Sequence, residues 1–316
     1  MSPQSIYLDN NAGTHLHPQV LDAMLPFLRE QFHNPSAPYR NGAAARAALE
    51  QARSRCAEAL GALPEEIYFC SGGTEAINWA LWGAARYAPK DRRTAVISAV
   101  EHPAVRNTAL ALAADGFRVR ILPVDTDGVV HLDAADDALG PETAVVSVMH
   151  AGNETGVLQP IDAIAAMAAK RGILFHVGAV QSAGKLPLHL SESGAHLVTI
   201  SGHKLHGPKG SGILYIRQGT EIAPLVTGGG QERGGRSGTE NVPAAVGLAE
   251  ALEIARLEAE EAMPRIAALR DRLEREVCAA LRDVTVNGAG APRLPGTSSL
   301  AISGVDSESK SEAKRS

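Results

Sequence analysis

The stretch IYFCSGGTEAINWALWGAARY, residues 67–87, decides the fold. Ile67–Cys70 is a short run of large apolar and aromatic residues and reads as a buried strand. Ser71-Gly72-Gly73 interrupts it, and Glu75–Tyr87 then reads as an Ala-rich helix. A strand, a glycine turn and a helix make the repeating unit of an α/β protein. The same unit recurs outward from here. Runs at Ala95–Val100, Arg118–Val124, Ala144–His150, Leu174–Val180 and Leu197–Ser201 predict strands that are apolar on both faces, as in a buried parallel sheet. Helices are expected at Ala104–Ala114, Leu132–Leu139 and Ile161–Lys170. Gly207–Tyr215 reads as a turn into an antiparallel hairpin. The Gly-rich stretch Thr227–Thr239 is too long for a plain turn and reads as a functional loop. Pro243–Arg282 carries an acidic, Ala/Leu-rich helical pattern that Pro264 is expected to kink or split. Ser298–Ile302 is the last strand candidate.

Composition bounds the function. The chain has 316 residues, 45% of them hydrophobic, and a formal net charge of -5. An acidic balance disfavours nucleic acid, because phosphate backbones are met by positive surfaces. Three cysteines, at 56, 70 and 278, cannot staple a chain of this length and match no metal motif; a reducing cytoplasm is the expected location. No run approaches membrane-spanning length, and the opening MSPQSIYLDN lacks the build of a signal peptide. The expected organisation is an N-terminal segment 1–15 packing near the small domain, a large domain 16–250, a partial small domain 251–306 and a disordered tail 307–316.

Two constellations carry chemistry. Ser71-Gly72-Gly73-Thr74-Glu75 lies between strand and helix, where unpaired N–H groups and the positive end of the helix dipole make an anion cradle. The bland alternative is an ordinary turn with a Thr cap. Ser201-Gly202-His203-Lys204 follows an apolar strand, at the edge where open α/β sheets bind ligands. A lysine partly desolvated there is able to form a Schiff base with an aldehyde. A lone exposed lysine is the commoner case. Gly230–Ser237, GQERGGRS, nearly fits a P-loop with Arg236 in the lysine position, but no strand precedes it and Pro243 delays the helix. The pairs His15/His17 and His203/His206 have no third ligand at helpful spacing, so no metal is expected.

With both constellations in place, the chain resembles the cysteine desulfurase (NifS/IscS-like) family of class V pyridoxal-phosphate (PLP) aminotransferases. The matching stretches are YLDNNAGT (7–14), HNPSA (33–37), SGGTEAIN (71–78), EHPAV (101–105), MHAGNETGVLQPI (149–161), SGHKLHGPKGSGILY (201–215) and GGGQERGGRSGTEN (228–241). The resemblance implies a fold type I large domain, with a mainly parallel seven-stranded sheet covered by helices on both faces, and a small α+β domain. It implies that Lys204 holds PLP covalently and that Gly73, Thr74, Ser201 and His203 bind its phosphate. Thr239 would reach the phosphate of a neighbouring subunit in a homodimer. His102 would stack on the ring and serve in catalysis, Asn153 would lie near the ring substituents, and Gln181 would bond the ring hydroxyl. Asn34 would orient the substrate, L-cysteine or a related amino acid. The reaction implied converts L-cysteine to L-alanine and passes the sulfur to an acceptor or scaffold protein for iron–sulfur or thio-cofactor synthesis.

The chain departs from the family in two places. Gly178 stands where the family carries the aspartate that pairs with the ring nitrogen and keeps it protonated. The nucleophilic cysteine loop, expected beyond Asp306, is replaced by SESKSEAKRS, so a desulfurase impaired in turnover is the expectation. A truncation, an out-of-register end of the gene and a natural short form all stay open, and Leu300 and Ile302 are expected to be left exposed. Near alternatives are a selenocysteine lyase or another class V lyase or aminotransferase. From another class comes a non-catalytic PLP-binding or dimerisation scaffold.

Overall fold

The computed structural model of the chain describes residues 6–305. Residues 1–5 of the expected N-terminal segment, Asp306 and the expected tail 307–316 lie outside the described residues. Seven strands form one sheet: β1 (Ile67–Cys70), β2 (Thr94–Ser98), β3 (Arg118–Leu122), β4 (Thr143–Met149), β5 (Leu174–Gly178), β6 (Leu197–Ser201) and β7 (Gly212–Ile216). Their order is β1-β7-β6-β5-β4-β2-β3. The five strands from β6 to β3 are parallel, while β7 lies antiparallel between β6 and β1. The fold is therefore a mainly parallel, helix-covered α/β sheet, with the antiparallel return expected at 207–215.

Helices cover both faces. α3 (Gly73–Tyr87) and α4 (Pro103–Ala114) pack on one side. α2 (Arg40–Leu60), α5 (Leu132–Ala138), α6 (Ile161–Lys170) and α7 (Val242–Ala280) pack on the other. Alternation along a strand divides its residues between the two cores: Val96 of β2 joins the second layer, and its neighbours Ala95 and Ile97 join the first. β8 (Val284–Val286) and β9 (Leu300–Ile302) form a separate antiparallel pair. Leu300 and Ile302 are half-buried there, not left open.

Several local readings are corrected. The strands are not wholly apolar: His176, fully buried in β5, bonds Ser147 Oγ of β4 at 2.8 Å and lies 3.3 Å from Thr199 Oγ1 of β6. β3 is an edge strand, and Arg118 and Ile121 on it are exposed. α1 (Pro18–Arg29) and the bounds of α2 were not expected, although both helices carry end signals. Pro18 opens α1 behind the His17 cap, and Gly61 closes α2 in the left-handed conformation at φ 60°. α7 runs unbroken through Pro264. Pro264 and Glu260 are exposed, so the carbonyl that loses its donor meets water.

The Gly-rich loop is anchored by a buried ion pair. Arg53 of α2 and Glu232 form two hydrogen bonds of 2.8 Å, with both side chains 3% exposed. Arg53 also donates to the Ile67 carbonyl, and Glu232 accepts the Phe69 N–H at 2.9 Å. Glu232 and Arg233 sit at positive φ without being glycine, a strain that this anchor holds in place. Removing one partner strands the other charge. Arg53→Met is expected to cost about 3–5 kcal/mol in urea unfolding, and Arg53→Met combined with Glu232→Leu distinctly less. Equal costs for the two proteins would refute the assignment of the pair as the anchor.

Candidate active site

Because β7 reverses direction between β1 and β6, β1 points the same way as the parallel strands. The carboxyl ends of β1, β6, β5, β4 and β2 therefore open on one edge, where open α/β sheets place ligands. A cavity of about 1160 Å³ lies there. Of the ten residues singled out from sequence, all but Asn34 and Thr239 line it.

The turn after β1 is shaped by close backbone approach. Gly72 adopts φ 149°, ψ 179°, a conformation that only glycine takes readily. A Cβ on Gly212 would stand 2.6 Å from the Gly72 Cα, so contact requires glycine at 212 and the backbone angle requires it at 72. Gly72 caps α3 without a side chain, leaving the first N–H groups of the helix with no side-chain acceptor. Glu75 does not fill that space. Arg236 holds its Oε1 at 2.7 Å, and Ser71 donates to its Oε2. Burial opposes ionisation of Glu75, but Arg236 and Ser71 hold its carboxyl below the usual range. The near-P-loop segment 230–237 is thus engaged through Arg236 and flanks no strand–helix unit. Ser201 approaches from β6, with its Oγ 3.0 Å from His203 Nδ1.

Lys204 follows in a short 3₁₀ turn, and its Nζ donates to the carbonyls of Asn11 and Ala12. Burial lowers its pKa, while the charges of Asp9 and Glu154 oppose the shift. Its amine lines the same cavity as the 71–75 turn. His102 caps α4, its Nδ1 accepting the Ala104 N–H at 3.0 Å, which leaves Nε2 to carry the proton of the neutral ring. Burial, then the charges of Lys204 and Arg106, hold the His102 pKa down. Asn153 donates to Glu154.

Gln181 is oriented by its neighbours. Lys185 has only donors, so the Gln181 atom 3.1 Å from it is the oxygen, and the amide nitrogen donates to the Asn11 carbonyl. Burial, then the charge of Lys204, draws Lys185 down to about 8. Sequence reasoning assigned no role to Asn11, Lys185 or Glu101. Asn11 and Glu101 lie inside the matching stretches 7–14 and 101–105, so the signal was present without a role attached. Glu101 is buried against Ser98 and the Met149 N–H, and burial pushes its carboxyl up to about 7 against those two bonds.

Two expected residues lie elsewhere. Asn34 is exposed, its carboxamide oxygen occupied by the Ser36 N–H at 2.8 Å in a local turn. Thr239 is exposed and lines a smaller cavity of about 180 Å³ that shares Ser71 and Gly210 with the large one. No cysteine among the described residues lines the large cavity. Cys56 and Cys70 are buried, which pushes each thiol up to about 12, and Cys278 is exposed on α7.

The donor set suits a phosphorylated aldehyde: an open glycine turn at a helix N-terminus for the anion, hydroxyls beside it, and a partly desolvated amine in the same cavity. Comparison with known proteins points the same way. The aminotransferase class-V family matches residues 6–313. The chain is 43% identical to a cysteine desulfurase of Nostoc sp. over 303 residues, 96% of this chain and 76% of that protein. It is 43% identical to the cysteine desulfurase NifS of Azotobacter vinelandii, over 96% and 75% of the two chains. A solved NifS-like protein superposes with a TM-score of 0.92 at 40% identity, covering 96% of this chain and 83% of that one. SspA in complex with cysteine superposes at 0.86 and 32% identity, covering 98% and 87%.

The Glu101 carboxyl makes a pH prediction for the cofactor-free chain. Its folded value near 7 lies above the ~4.3 of an unfolded glutamate, so between these values the native chain binds more protons than the unfolded one. Stability from this group therefore falls as pH rises through that window. Relative to Glu101→Gln, the wild type is expected to lose about 3 kcal/mol between pH 4 and pH 8 in urea unfolding. Parallel pH profiles of the two proteins would contradict it.

Proposed function

Because the chain belongs to the aminotransferase class-V family, in its PLP-dependent cysteine desulfurase branch, we propose that the cavity holds PLP on Lys204 and acts on the amino group of L-cysteine or a related amino acid. The observation that carries this reading is the meeting of the Lys204 amine and the 71–74 glycine turn in one cavity. The cysteine bound to SspA supports the substrate class. When bound, PLP supplies an electron sink for a carbanion beside the substrate nitrogen.

The chain's own residues divide the remaining work. The N–H groups at the start of α3, with Thr74, Ser201 and His203, bind the phosphate. Partial burial favours the neutral form of Lys204, which suits capture of an aldehyde and then transfer of a proton at the substrate α-carbon. His102, its ring fixed through Nδ1, would stack against the cofactor ring. Gln181, its amide fixed by Lys185, keeps a donor for the ring hydroxyl. Thr239, exposed and outside the large cavity of its own chain, suits delivery of a hydroxyl to a second copy in a homodimer. Sulfur released by such an enzyme would pass to an acceptor or scaffold protein.

Release itself is the weak step in our reading. Sulfur abstraction requires a thiolate, and no thiol of the described residues lines the cavity. Gly178 also offers no carboxylate at the end of β5. PLP added to the purified chain is expected to develop visible absorbance that Lys204→Ala abolishes. Cysteine-dependent alanine and sulfide should stay near background. A colourless wild type would favour the scaffold reading, whereas turnover at rates usual for desulfurases would overturn the proposed impairment.

A further inference from the structure

Four carboxylates line the cavity, and three of them are committed elsewhere. Asp9 is exposed and accepts the Ala12 N–H in its own turn. Glu75 is clamped by Arg236 and Ser71. Glu154 is exposed and takes the Asn153 amide. Glu101 differs from all three. It is 5% exposed and lies just beyond the carboxyl end of β2. A single oxygen, Oε1, receives both the Ser98 hydroxyl at 2.9 Å and the Met149 N–H at 2.7 Å. Oε2 accepts no hydrogen bond among the described residues, and it is not one of the sealed, partnerless oxygens of the interior. Glu101 lines the cavity, so Oε2 is its oxygen with capacity to spare.

Gly178 lies beside the same backbone group. Met149 pairs with Gly178 in the β4–β5 register, and a Cβ on Gly178 would stand 3.4 Å from the Met149 Cα. Glu101 reaches Met149 from β2, and Gly178 meets it from β5. A pyridine nitrogen directed at this floor finds no acid on β5 and finds one beyond β2. A PLP enzyme pairs that nitrogen with an acidic or basic side chain that tunes the ring.

We propose that Glu101 is the acid that faces the ring nitrogen of PLP in this chain and keeps it protonated. The inference rests on the PLP reading above. The proton is the carboxyl's own: Glu101 gives it to the ring nitrogen and remains as a carboxylate paired with the pyridinium. The raised carboxyl value makes Glu101 a proton carrier at neutral pH. The bond from Met149 holds it in place during the transfer.

The test is solution NMR of the full chain loaded with PLP carrying ¹⁵N in the ring. The wild type is expected to give the upfield signal of a protonated nitrogen, and Glu101→Gln the downfield signal of an unprotonated one with cofactor still bound. A downfield wild-type signal, or an upfield signal that survives in Glu101→Gln, overturns the proposal. A second measurement needs no variant. The deaza analogue of PLP, with carbon in place of the ring nitrogen, should bind the wild type at least about tenfold more weakly than PLP, since a charge-assisted bond is lost. Equal affinities overturn the proposal. Failure of the underlying reading looks different: neither wild type nor Lys204→Ala takes up PLP at all.

Discussion

The site depends on how closely the backbone at Gly72 can approach that at Gly212. With no Cβ on Gly212, β7 starts against the turn that leaves β1. This contact seats β7 antiparallel between β1 and β6 and so returns β1 to the direction of the parallel strands. Without it, the 71–75 turn would not open on the same edge as Ser201–Lys204. The anion cradle and the amine come from chain segments about 130 residues apart (residues 73 and 204), and the antiparallel strand brings them to one cavity. A side chain at 212 would part the two backbones first and the two halves of the site with them.

Polar groups inside the sheet follow the same geometry. The hydroxyls of Ser147 and Thr199 flank His176, and burial holds its ring near a pKa of about 3, so it stays neutral and bonded. His176 lies two residues before Gly178 on the same strand and hence on the same face. It locks β4, β5 and β6 laterally just beneath the strand ends that carry the site. Arg53 and Glu232 do the equivalent for the Gly-rich loop, bringing Arg236 within reach of Glu75. Rigid support below and a clamped loop above hold the walls of the cavity in place.

Much of this was legible in the sequence, and the failures have physical causes. Strands β1 and β6 and helix α6 appear at their expected bounds, because each has a clear apolar run or periodic face with distinct ends. The bounds of α2 were missed although Ala43–Ala45, Ala47 and Ala48 are strong helix formers, because its arginines and glutamates blur the apolar stripe. The split expected at Pro264 does not occur, because the proline is exposed and water satisfies the carbonyl that it frees. Of the candidate residues, those beside strand ends fell into the cavity. Asn34 did not, since a residue far from any strand end has no topological reason to arrive there.

Glu101 was invisible for a different reason: its significance is electrostatic and lies in what surrounds it. A carboxyl this deeply buried with no cation beside it favours its neutral form. A positive charge entering the cavity would favour its ionised form. The other carboxylates of the site already have counterparts: Glu75 has Arg236, and Asp9 and Glu154 lie near Lys204, while an incoming phosphate would have the start of α3. Glu101 alone is held in reserve. A protonated aromatic nitrogen is a compact cation that would reach the floor of the cavity while its phosphate stays on the glycine turn. Its arrival turns a buried acid that weakens the free protein at neutral pH into one half of an ion pair. Cofactor binding and the relief of that destabilisation would then be the same event.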